Sequence, residues 1–202
     1  MNKDINDLNI KLKFQPLTID NWNQFEELMG ERGGCGGCWC MSPRLSSKEF
    51  SENKYSGNKK LMQDLVNANK PTGLIALYKN EPVGWIALAP REDYSRIERS
   101  RALKRIDDKQ VWSITCFFVK KEFRKMGLSQ LLIKGAVDYA KKNKIKTLEA
   151  YPVIPYSNKV PAAFLWFGVL SAFTNNGFKV VQQNGKSRAM VRLDVPNPPK
   201  GE

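Results

Sequence analysis

Apolar and polar positions alternate along IKLKFQPLT, residues 10–18, which predicts a strand. Asp20 is placed to cap a short helix over NWNQFEELM, and Gly30 to end it. Residues 46–70 are polar and helix-compatible, with Leu61, Leu65 and Val66 as an apolar stripe that Pro71 and Gly73 interrupt. GLIALYKN and EPVGWIALAPR read as two strands joined by a turn around Asn80–Pro82. VWSITCFFV, apolar and β-branched, predicts a central strand. LSQLLIKGAVDYAKKN carries the clearest helical period. Leu128, Leu131, Leu132, Gly135, Ala136 and Tyr139 fall on one face; Gln130, Lys134, Asp138 and Lys141 fall on the other. TLEAYPV predicts a strand, AAFLWFGVLSAFTNNG an apolar helix stopped at Asn176-Gly177, and KVVQQN with RAMVRLDV a hairpin across Gly185.

The predicted order, β-α-α-β-β-β-α-β-α-β-β, defines an α/β or α+β domain with a mixed central sheet flanked by helices. It spans residues 10–195. The polar residues 1–9 and the Pro-rich tail 196–202 are expected to be flexible termini.

Composition narrows the chemistry. A 202-residue chain that is 42% hydrophobic and 26% charged fits a soluble globular protein. No apolar run reaches the ~20 residues of a membrane helix. MNKDINDLNIKLK lacks the apolar core of a signal peptide, so the expected location is cytoplasmic, with reduced cysteines and no membrane partner. There is no histidine, which excludes Ser-His-Asp triads, Cys-His pairs and His-ligated metals. Acid–base work falls to Glu, Asp, Tyr, Lys, Cys or water. The net charge of +13 calls for an anionic partner. Residues 120–146 hold nine Lys/Arg against Glu122 and Asp138, so over half the excess lies in one segment.

That segment overlaps CFFVKKEFRKMGLSQLL, residues 116–132. A buried strand runs into a short basic loop with Arg124, Lys125 and Gly127, and a long helix begins at once. A helix N-terminus offers unpaired N–H groups and a positive dipole end, Gly127 permits close backbone approach, and Ser129 is small. The pattern is an anion cradle suited to phosphate. It is not a nucleotide P-loop, since Gly185-Lys186-Ser187 has Val180 where that motif needs its first glycine.

Val119 … Arg124-Lys125-Met126-Gly127-Leu128-Ser129 resembles the acetyl-CoA signature of the GNAT superfamily of N-acetyltransferases, V-x-x-x-x-[RQ]-x-x-G-x-[GA], with Ser129 at the last small position. FTNNGF, residues 173–178, resembles that family's late helix ending in Gly-Phe. The resemblance implies a single-domain fold whose fourth and fifth strands splay apart. It implies acetyl-CoA (coenzyme A) as the acyl donor and a small-molecule or peptide amine as acceptor, attacking directly. Residues 124–129 would cradle the pyrophosphate, and Phe118 and Val119 would offer backbone groups to the pantetheine arm. A strand-four N–H would stabilise the oxyanion, a carboxylate would take the amine proton, and a late-helix tyrosine would protonate the thiolate. Here the tyrosine position is Phe173; Tyr151, Tyr156, Cys116 or water are the substitutes. Glu149 is the best single choice of base, against the plainer reading of a solvent-facing strand glutamate. Ser113 and Thr115 are candidates to hold a water.

Cys35, Cys38 and Cys40 lie within GGCGGCWCM, residues 33–41. They are a zinc clip completed by Cys116, a reactive thiol site, or small packed side chains in a tight loop. The spacing lacks a second C-x-x-C, so no metal is assigned. A GCGGCWCM-like stretch is associated with a subgroup of the same family, which names no substrate. Residues 31–44, with Cys38, Trp39, Cys40, Met41 and Arg44, form either the acceptor-pocket wall or a buried turn. Residues 91–109 form a charged loop, either a lid in which Arg99 and Arg101 clamp an acidic group or a solvated surface. The competing function is a non-catalytic acyl-CoA-binding or nucleic-acid-associated module on the same fold. Clustering of the basic residues at one loop and helix favours the enzyme and disfavours nucleic acid. Monomer and homodimer both stay open.

Overall fold

The computed structural model describes residues 12–155 and 165–196. The predicted flexible ends, 1–9 and 196–202 apart from Pro196, lie outside them, as does Tyr156. Seven strands make one sheet: β1 (Leu12–Pro16), β2 (Gly73–Tyr78), β3 (Glu81–Pro90), β4 (Trp112–Val119), β5 (Thr147–Ala150), β6 (Lys179–Asn184) and β7 (Arg188–Asp194). Their spatial order is β1-β2-β3-β4-β5-β7-β6, and only β4 and β5 pair in parallel. The helices are α1 (Trp22–Met29), α2 (Ser47–Glu52), α3 (Ser56–Asn67), α4 (Ser95–Glu98), α5 (Leu128–Lys142) and α6 (Leu170–Thr174). This is the mixed α/β architecture that the alternation of patterns predicts.

Alternate residues of β2 divide the core between the two faces of the sheet. Leu74, Ala76 and Tyr78 join α5 and α6 through Leu128, Leu132, Ala136 and Phe173. Ile75 and Leu77 join α1, α3 and the glycine–cysteine loop through Phe25, Met62 and Trp39. Burial on both faces explains why β2 and β3 read as near-continuous apolar runs. Their turn has both central residues, Lys79 and Asn80, at positive φ, the twist a tight hairpin requires.

Three local expectations change. Asp20 does not cap α1; it lies in a 3-10 turn (Ile19–Asn21), and Asn21 precedes the helix. The Asn21 side chain accepts from the Thr18 N–H at 2.8 Å and donates to the Pro16 carbonyl at 2.9 Å, fixing the entry. Residues 91–109 are solvated only in part: Arg99, Arg101 and residues 106–109 are exposed, as the surface reading expects, but the segment is not a plain loop. It forms 3-10 turns and α4, with Arg91 only 1% exposed. The long apolar helix over residues 162–177 shrinks to Leu170–Thr174 within the described residues. Gly168 takes φ +77°; the Trp166 carbonyl accepts from Phe117 of β4 and the Gly168 carbonyl from Val153, so these groups do not bond along a helix. Apolar periodicity alone does not separate a helix from a buried extended segment.

Candidate active site

β4 and β5 stay paired over three positions, Trp112–Leu148, Ser113–Glu149 and Ile114–Ala150, and then part. The opening forms where the sequence-based reading places it. A bulge between Ala87 and Leu88 passes over Thr115 and shifts the alternation of β4 against β3. As a result the Phe117 N–H faces away from β3, and it donates to the Trp166 carbonyl at 2.8 Å. Lys120 N–H donates to Val83 O on the β3 side, so by alternation Phe118 also turns its backbone to β3 and Val119 turns to the opening. Phe117 and Val119, rather than Phe118 and Val119, present backbone groups there. A bulge leaves no mark in the apolar pattern, which is why the sequence misses the shift.

Below the opening, Val119 leads through a 3-10 turn (Lys121–Phe123) to the basic loop. Arg124 Nε donates to Val119 O at 3.0 Å, tying the loop to the strand end. Lys125 and Gly127 both take left-handed backbone, φ +62° and +73°, and Gly127 is the N-cap of α5 with no side chain capping the helix. Arg124 and Lys125 are exposed, Met126, Gly127 and Ser129 half-buried, while the Leu128 side chain is core. The cradle therefore offers uncapped backbone N–H groups flanked by two cationic side chains, a donor set that fits a pyrophosphate.

The predicted catalytic residues occupy the opposite face of the sheet. Glu149 is fully buried, and both oxygens are engaged. Oε1 accepts from Arg91 Nη1 and from the Tyr151 hydroxyl (2.7 Å); Oε2 accepts from Arg192 Nε (2.6 Å). Tyr151 in turn accepts from Ser113 Oγ at 2.8 Å, and burial beside Glu149 pushes its pKa well above the phenolic range. Arg91 reaches on to Glu98 and the Leu103 carbonyl, and Arg192 to Asp107. A base needs a lone pair free to meet the amine. Glu149 instead serves as the anion of a buried ion cluster, and it is not the solvent-facing residue of the plainer reading either. Arg91 and Arg192, its partners, went unnoticed in the sequence because each sits in a run of charge or alternation typical of a surface. Phe173 is buried with its ring edge-on to Phe117 (5.8 Å) and Phe178 (5.2 Å), so no hydroxyl occupies the late-helix position.

The glycine–cysteine loop closes over Cys116. Gly33, Gly34, Gly36, Gly37, Trp39 and Cys40 all have positive φ. This left-handed winding explains the spacing of glycines: a Cβ on Gly33 would fall on the Trp39 ring. Trp39, Cys40, Met41 and Arg44 are buried, Cys38 is half-buried and Cys35 exposed. Cys40 Sγ lies 3.3 Å from Cys116 Sγ, and all four cysteines are free. Among the described residues no group of three or more potential ligands is placed to hold a metal. Arg44 donates to the Pro71 carbonyl (3.1 Å) and lies over the Tyr94 ring (4.6 Å), so its charge is used within the fold. A cleft of about 520 Å³ opens beside this loop, lined by Glu26, Glu27, Glu31, Trp39, Tyr55 and Lys59.

A parted β4–β5 pair above an uncapped helix N-terminus defines an acyl-CoA-type fold. The acetyltransferase (GNAT) family model matches residues 41–166, and the chain belongs to that family, whose acyl donor is acetyl-CoA. A search of curated proteins found no match. Among solved structures, a chain of the NatC complex bound to Gag peptide and CoA is 17% identical, with TM-score 0.53, covering 92% of this chain and 99% of its own. A GNAT-family acetyltransferase from Streptococcus agalactiae is 12% identical, with TM-score 0.53, covering 93% and 96%. At these identities the likeness is one of fold. No helix among the described residues is long and apolar enough to cross a membrane.

Proposed function

We propose that this protein transfers an acetyl group from acetyl-CoA to a primary amine by direct attack. The observation that carries the reading is the inward-facing Phe117 N–H at the β4–β5 opening, directly above the uncapped N-terminus of α5. Residues 124–129 would hold the pyrophosphate through backbone N–H groups, and Val119 with Phe117 the arm. Bound there, the donor supplies an activated thioester carbonyl. The chain contributes an oriented N–H donor where negative charge develops, a form of stabilisation that commonly dominates acyl transfer. For Phe117 to act so, the Trp166 carbonyl that now accepts its hydrogen bond must give way. With Glu149 and Tyr151 engaged in the ion cluster, the amine proton passes to water, and the thiolate leaves without a tyrosine acid. Of the residues expected to form the acceptor wall, Trp39 lines the cleft, and the Gag peptide bound to the NatC complex makes a peptide amine one acceptor class to test. The domain is taken as residues 10–195.

A second reading, a non-catalytic acyl-CoA-binding module, draws support from Phe173 and from the occupied Phe117 N–H. Thermal unfolding with and without acetyl-CoA, followed by amine screening, separates the two. Ligand at ~100 times its dissociation constant should add about 2.7 kcal/mol of stability. Gly127→Glu, which puts a carboxylate in the cradle, should abolish the shift; a variant that still responds would refute the cradle. A shift without turnover on any amine would favour the binding module.

A further inference from the structure

We infer that Cys40 and Cys116 form a dithiol that oxidises to an intramolecular disulfide, a modification site joining the glycine–cysteine loop to the central strand. The two sulfurs are 3.3 Å apart across 76 positions of sequence, and only a short closure separates them from the roughly 2.05 Å of a disulfide. The left-handed Trp39–Cys40 pair turns the loop onto β4, which brings the two thiols together. Both thiols are buried, Cys40 4% and Cys116 6% exposed, so the oxidant must be small.

The oxidant class is a hydroperoxide, hydrogen peroxide being the simplest. One thiol takes an oxygen to become a sulfenic acid, and the first water leaves. The second sulfur then attacks that sulfur; the S–S bond forms, the S–O bond breaks, and the departing oxygen carries off the second thiol's proton as water. Two thiols lose two electrons and two protons, and one peroxide becomes two waters. Cys116 directly precedes Phe117, so the link pins the loop beside the opening between β4 and β5. Its effect on turnover rests on the proposed acceptor wall; the link itself does not.

The test uses the reduced full-length chain and a Cys35→Ser/Cys38→Ser variant, each treated with hydrogen peroxide, alkylated after unfolding and mapped without reduction. The expected product, in both, is a monomer in which the peptide containing Cys40 is joined to that containing Cys116, two hydrogens lighter, and reopened by dithiothreitol. Its melting temperature should rise on oxidation, and that rise should be absent in Cys116→Ser. Both thiols remaining alkylatable, a link confined to residues 35–40, or only intermolecular dimers would each overturn the inference. Should the double variant not fold, the map of the unaltered chain decides alone. A Cys40–Cys116 link with unchanged acetyl-CoA-dependent turnover would uphold the modification site and overturn the acceptor-wall role.

Discussion

Cys38 shows how one side chain's surroundings set its chemistry. Burial, with Cys40 close by, pushes its thiol from the ordinary 9.0 up to about 12. Above pH 9 the unfolded chain gives up this proton while the folded chain keeps it. The unfolded state then binds fewer protons, and stability falls as pH rises through the 9 to 12 window, with no penalty below it. Urea midpoints followed across that window should decline more gently in Cys38→Ala than in the unaltered chain. Parallel declines would mean the thiol is as free to ionise folded as unfolded. The same burial argues against Cys38 as an activated nucleophile, since the thiolate is the reactive form. Cys40 is held protonated still more strongly, first by its bond to Cys116 and then by burial.

Among the elements, the loop from Gly33 to Cys40 depends most on residue type. Left-handed backbone costs a non-glycine residue about 1–2 kcal/mol, and Trp39 and Cys40 carry that cost where the loop must turn twice onto β4. At Gly33 a methyl group would add a collision with the Trp39 ring to the backbone strain. Gly33→Ala should therefore lose roughly 2–4 kcal/mol in urea denaturation. A loss under about 0.5 kcal/mol would show that the loop repacks freely and is not a fixed wall. The helix α5 and its cradle were legible in the sequence because a strand, a glycine and an amphipathic helix follow one another locally. The late helix was not. Its apolar run serves two purposes, one turn of helix and a stretch of backbone that bonds Phe117 and Val153, and composition is the same for both.

Across the whole molecule, the buried ion cluster ties together parts of the chain that are far apart in sequence. Arg91 follows β3, Glu149 lies in β5 and Arg192 in β7, and Glu98, Asp107 and Leu103 bring in the segment between β3 and β4. Removing one member of such a cluster strands the others in a low-dielectric interior. Glu149→Gln should cost about 3–5 kcal/mol of unfolding free energy. In whatever folded fraction survives, the pH dependence of turnover should be unchanged. Near-wild-type stability together with an altered pH–rate profile would restore Glu149 as a base. The cluster also fixes β5 against β7 and β4 at their paired end, just before the point where β4 and β5 part.

The sequence by itself determined the seven strands, the mixed α/β class, the strand–glycine–helix motif at residues 116–132 and the family. Each of these is written in local period, local turn chemistry or a short contiguous motif. Only the tertiary structure decided which β4 backbone groups face the opening, that Trp166 meets Phe117, that Glu149 sits between two guanidiniums, and that Cys40 reaches Cys116. Those facts depend on a bulge, on strand order and on contacts between residues 43 to 76 positions apart. Such contacts are set by packing of the whole chain, which no local pattern encodes.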